Sequence, residues 1–98
     1  MKGPQLENGY TRIANELLEA VFGANFNATQ MKIIFCIIRY TYGFNRKSHN
    51  LSLGFISDAT GISKRYISQE LNKLIEANVI LVIAEYTSKQ SRELQFNK

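Results

Sequence analysis

Cysteine, histidine and proline occur once each in this 98-residue sequence. The lone Cys36 excludes an intrachain disulfide and a multi-cysteine zinc site, and it fits a reducing cytoplasm. His49 has no second histidine and no nearby cysteine, so no metal site is read. One proline and six glycines are too few for a collagen-like or low-complexity chain, and 11% aromatics argue against disorder. Long apolar runs are missing as well. The run 33–38, closed by Lys32 and Arg39, falls far short of the ~20 residues a bilayer span takes, so no membrane segment is expected. Residues 1–10 carry Lys2 but no apolar stretch, and no secretory signal is readable. Neither a Gly-x-Gly-x-x-Gly loop nor a Walker lysine occurs to cradle a phosphate. Asp58 is the sole aspartate, and Cys36 has no base placed to activate it. No enzyme and no cofactor are read.

What is present suits one small domain, because a chain of this length buries roughly two-thirds of its unfolded surface in a single core. Twelve basic against eight acidic residues give +4, a mild bias whose meaning depends on where the charges sit. Residues 1–9 read as a flexible, polar lead-in, and 10–98 as the single domain.

Helical periodicity begins with Ile13, Leu17, Leu18, Val21 and Phe22, with Thr11 as the expected N-cap and Gly23 as a left-handed stop. A second helix opens with Asn27 and Gln30 as a capping box and Phe26 and Met31 as a staple. Its stretch 31–42 is apolar nearly all round, which demands a central position, and Gly43 is expected to end it. Arg46, Lys47 and His49 follow in a solvated loop, and 50–52 supply a short strand. Ser52 caps a short helix to Thr60 that buries Leu53, Phe55 or Ile56, and Ala59, with Ala59 at a close helix crossing. Gly61 makes the turn, and Ser63 caps a helix anchored by Ile67, Leu71, Leu74 and Ile75. Asn78 takes a left-handed stop. Residues 79–86 and 92–96 form a hairpin.

Two helices joined by a glycine turn and followed by a hairpin predict a fold that is mainly α with a small β-hairpin, the winged helix-turn-helix. The outer face of its second motif helix carries Lys64, Arg65, Tyr66, Ser68, Gln69, Asn72 and Lys73, with Glu70 and Glu76 read to the side or behind. Such a face suits the major groove of double-stranded DNA. The Ser63 hydroxyl and early amides suit a phosphate, Arg65 suits a guanine edge, and Gln69 or Asn72 suits adenine. Tyr66 fits a thymine methyl or a phosphate, and Lys64 and Lys73 fit the backbone. The hairpin tip, with Lys89 and Arg92, is basic enough to touch a flanking groove. A merely solvated face is the plain alternative for these charges.

Two segments carry a resemblance: Gly9-Tyr10-Thr11-Arg12-Ile13, and Thr41-Tyr42-Gly43-Phe44-Asn45-Arg46-Lys47. With Leu51-Ser52-Leu53 and Ala59-Thr60-Gly61-Ile62-Ser63-Lys64-Arg65, they resemble the N-terminal domain of the bacteriophage replication protein O family over residues 9–80. Asn78 stands where that family often has glycine, and Gly54 where a polar residue is more usual. The resemblance implies binding to repeated sites in a phage replication origin in the host cytoplasm, with two copies on a repeated or inverted site. It also implies a separate helicase-recruiting region, which this sequence, ending after the hairpin, is expected to lack as an isolated domain or truncated product. A transcription repressor and a protein-contact module are the rival readings of the same residues.

Overall fold

Asn27 opens the helix around which the rest is assembled. Its side chain accepts from the Gln30 N–H at 2.8 Å, and the Gln30 side chain accepts from the Asn27 N–H at 3.1 Å. The computed structural model describes residues 3–97; expectations that fall on Met1, Lys2 and Lys98 lie outside the described residues. Within them run helices α1 (Asn15–Gly23), α2 (Ala28–Thr41), α3 (Leu53–Thr60) and α4 (Lys64–Glu76). Strand β1 (Ser48–Asn50) precedes α3, and β2 (Ile80–Ala84) and β3 (Glu93–Phe96) follow α4. Helix α2 buries Ile33, Ile34, Ile37 and Ile38 against Ile56 of α3, Ile67, Leu71 and Leu74 of α4, and Ile80, Leu94 and Phe96 of the sheet. Each aliphatic side chain so buried contributes ~1.5–3 kcal/mol, so this cluster fixes how the helices sit.

The strands form one antiparallel sheet in the order β1-β3-β2. Leu94 faces His49 on one side and Val82 on the other, and a bulge falls between Val82 and Ala84. The Ser48 hydroxyl donates to the Glu93 carboxylate across the first pair. Helix α4 ends in a Schellman arrangement: Asn78 is left-handed at φ 60°, and its N–H reaches Ile75 O while the Val79 N–H reaches Leu74 O at 2.9 Å.

Several boundaries differ from the sequence expectations. Helix α1 starts at Asn15 rather than after Thr11, because Arg12 to Ala14 run on as non-helical chain and the Ala14 carbonyl takes the first helical bonds from Leu17 and Leu18. Gly23 lies inside α1 without a positive φ, and extended Ala24 ends the helix. Phe22 is 71% exposed, so the inner face of α1 reduces to Val21 and Leu17, while Ile13 packs on the core from the non-helical chain before it. Gly43 does not stop α2. The helix ends at Thr41, a 3-10 turn carries Tyr42 to Phe44, and Asn45 turns left-handed at φ 57°. Strand β1 sits two residues early because Ser52 is committed to capping, although the Leu51 N–H still bonds Arg92 O at 2.9 Å. In α3 only Ile56 is buried; Leu53, Phe55 and Ala59 are exposed. The hairpin strands are shorter than 79–86 and 92–96, leaving a longer tip. Residues 6–8 of the lead-in form a 3-10 turn.

Candidate nucleic-acid interface

Helix α3 stops where Gly61 turns left-handed at φ 75°, its N–H closing on Ser57 O at 2.9 Å. The Ser57 hydroxyl then donates to Ile62 O at 2.6 Å, which stiffens the turn. Ser63 caps α4 by accepting from the Tyr66 N–H at 3.4 Å. With Ile67, Glu70, Leu71 and Leu74 turned inward, helical geometry puts Arg65, Gln69 and Asn72 on the outermost stripe. Lys64, Tyr66 and Lys73 flank it, exposed, and Ser68 is half-buried. Lys64 lies across the start of α3: a Cβ on Gly54 would stand 3.4 Å from its Cε. A side chain at position 54 would therefore sit in ordinary van der Waals contact with that lysine.

The hairpin tip curls toward this helix. Ser68 and Asn72 share a groove of about 540 Å³ with Lys89, Arg92, Tyr86 and the start of α3. The structure therefore brings the hairpin candidates beside the helix candidates, which no sequence spacing could show. Thr87 organises the tip. Its hydroxyl accepts from the N–H groups of Lys89 and Gln90, at 3.2 and 3.1 Å, leaving the Lys89 side chain exposed. Arg92 is held differently. Its Nε donates to the Glu85 carboxylate at 2.9 Å, and its guanidinium lies 5.9 Å from the Tyr86 ring centre. Its charge is thus shared inside the hairpin.

Of the two acids of α4, Glu70 lies behind the outer face, within the expectation, and Glu76 does not. Glu70 is 8% exposed and points into the molecule, where it accepts from the Asn27 side-chain amide at 2.6 Å and pairs with Lys73 at 2.9 Å. Those bonds, Asn27 first and then Lys73, hold its carboxyl below the usual carboxylate range. Lys73 consequently carries less free charge than Lys64 or Arg65. Glu76 is exposed four residues after Asn72 and continues the outer stripe, so the acid-free part of α4 is its N-terminal portion. The sequence reading missed the Asn27–Glu70 pair, since the two lie 43 positions apart and Asn27 is already explained as a cap.

Elsewhere, Cys36 is buried in α2, and burial pushes its thiol up, which suits packing rather than nucleophilic work. His49 is pushed down by burial and then by Arg46, with Glu93 opposing. No helix among the described residues is long and apolar enough to cross a membrane.

The chain is similar to phage replication proteins. Replication protein O of Escherichia phage lambda is 32% identical over 75 residues, covering 76% of this chain and 22% of that protein. DNA replication protein gp18 of Salmonella phage P22 is 36% identical over 76 residues, covering 78% of this chain and 28% of the relative. Replication protein 15 of Enterobacteria phage phi80 is 31% identical over 75 residues, covering 76% and 25%. The chain thus spans about a quarter of the length of the curated relatives it matches. No solved structure matches it. The family model for bacteriophage replication protein O matches residues 3–96, and the chain belongs to that family.

Proposed function

We propose that this domain is a winged helix-turn-helix module that binds duplex DNA at specific sites of a phage replication origin and so helps to start replication. In this reading α3, the Gly61 turn and α4 are the helix-turn-helix, and β2 and β3 with their tip are the wing. The module acts by binding and not as an enzyme, in the cytoplasm of the bacterial host.

The observation that carries the reading is the N-terminal portion of α4. Arg65, Gln69 and Asn72 stand outermost on it, with Lys64 and Tyr66 beside them and no acid among them. A helix of this diameter fits the major groove. Its positive end, with Ser63 and the first amides, lies toward a phosphate. Arg65 reads a guanine edge in bidentate fashion, and Gln69 or Asn72 reads adenine. Lys64 and Lys89 hold the backbone on either side, and these contacts fix register without reading sequence. Lys73 and Arg92, each already paired with a glutamate, add less. Family membership supports replication as the setting, and repeated or inverted sites would take two copies.

The test is footprinting on the DNA of the phage or prophage that encodes the protein, with a salt titration on random duplex beside it. Protection of repeats in this protein's own reading frame or beside a helicase-loader gene supports the reading. Protection at promoters assigns the module to repression. No affinity for duplex at any salt assigns it to protein contact, because a DNA binder loses affinity steeply and log-linearly with salt.

A further inference from the structure

Helices α2 and α4 bury facing stripes in one core, so their exposed stripes point apart. The exposed side of α2 and its neighbours carries a second concentration of rings and cations. Phe44 is 52% exposed, Phe35 43% and Phe55 41%. Phe35 lines a shallow hollow with Arg39 and Tyr40, and the Phe44 and Phe55 rings are held by direct contacts. Tyr40 meets the Phe55 ring edge-on at 4.8 Å, and it lies within 17° of parallel to Phe44 at 6.2 Å. The Arg39 guanidinium is 5.2 Å from the Tyr40 ring centre and 5.1 Å from that of Phe44. Arg46 lies 4.9 Å from the Phe44 centre, and its Nε is fixed by a bond to Tyr40 O at 3.1 Å. Asp58, exposed on α3 near Phe55, is the acidic residue of that helix.

We propose that this surface, built from Phe35, Arg39, Tyr40, Phe44, Arg46 and Phe55, is a second nucleic-acid site that takes single-stranded DNA. Exposed rings interleaved with arginines offer the two things an unpaired strand needs, planar faces for its bases and charge for its phosphates. Duplex DNA gains nothing from the rings, since its bases are already stacked. A second copy of this chain would present the same cations and be repelled. An acidic peptide satisfies the arginines but leaves the rings without planar partners. The site does not require α4 to read duplex, and the two readings fail separately.

The experiment measures fluorescence anisotropy of a labelled thymidine oligomer of about twenty nucleotides with the whole chain, beside a duplex of the same length. The oligomer is expected to bind in a salt-dependent manner. Phe44→Ala and Phe35→Ala, both at half-exposed rings, should each weaken it ~10-fold while the duplex affinity of the folded protein stays as in the parent. Phe44→Trp should retain affinity and Phe44→Leu should lose it. Gly43→Ala probes the arginine without changing charge. Its Cβ would stand 2.7 Å from an Arg39 terminal nitrogen and 2.9 Å from the Thr11 hydroxyl oxygen, so the guanidinium must shift from its place over the rings and affinity should fall. Arg65→Ala should weaken duplex binding alone. The proposal is overturned if the oligomer does not bind, or if Arg65→Ala rather than Phe44→Ala removes its binding. It is equally overturned if Phe44→Leu binds like the parent, or if polyglutamate competes as well as the oligomer does.

Discussion

The Asn27 side-chain amide donates to the Glu70 carboxylate at 2.6 Å and so joins the N-cap of α2 to the middle of α4. Because Asn27 also completes the capping box, one side chain both starts the central helix and ties it to the helix proposed to read DNA, whose rotation the buried Ile67, Leu71 and Leu74 set. Rotation decides which stripe faces out.

This pair has a pH signature. The Glu70 pKa is depressed in the fold, so its contribution is fully present above the ordinary carboxylate range, near 4.5, and is lost as pH falls through the lowered value. Urea midpoints taken between pH 7 and pH 3 should therefore fall more steeply for the parent than for Glu70→Gln. Asn27→Ala removes the cap as well, and should cost ~0.5–2 kcal/mol at neutral pH for the cap alone. Parallel pH profiles for parent and Glu70→Gln would show the pair to be energetically silent.

Arg65 stands at the exposed start of the outer stripe. Arg65→Ala should lower affinity for the cognate site by ~1–3 kcal/mol and leave random-duplex binding mostly intact. Equal losses on both DNAs, measured by titration, would make Arg65 a phosphate contact.

Within the hairpin, exposed Lys89 and tied Arg92 should behave differently. Lys89→Ala should flatten the salt slope by about one charge on every sequence. Arg92→Ala should flatten it by less, and Glu85→Ala, which frees Arg92, should steepen it. Slopes unchanged from the parent in all three variants would mean the tip stays off the DNA.

Gly61 has open space around its missing side chain, so substitution there tests backbone conformation alone. At φ 75° a β-branched residue is strained by roughly 1–3 kcal/mol, and re-aiming α4 relieves it. Gly61→Val should therefore lose specificity more than affinity, and affinity more than melting temperature. A variant that matches the parent in all three would make Gly61 an ordinary linker.

Features set by neighbours in sequence were the legible ones. The caps at Asn27, Ser52 and Ser63, the left-handed Gly61 and Asn78, and the buried Ile67, Leu71 and Leu74 all follow from local patterns. Strand limits did not, because the ladder partner decides them: Leu51 still pairs with Arg92 although β1 ends at Asn50. Helix α1 misled because the Ile13 to Phe22 periodicity continues past both the real start and the real inner face. On α4 the outward Arg65, Gln69 and Asn72 were readable from periodicity, whereas the outward Glu76, the half-buried Ser68 and the pairing of Lys73 and Arg92 with glutamates were not.

The central claim is that the outer stripe of α4 meets duplex DNA, and amide chemical-shift mapping during a duplex titration tests it most directly. The expected result is that the largest shifts fall on 63–73 and on the hairpin tip at 86–92, with α1 and the exposed side of α2 unmoved. Largest shifts on α1 or α2, with α4 silent, would contradict the account.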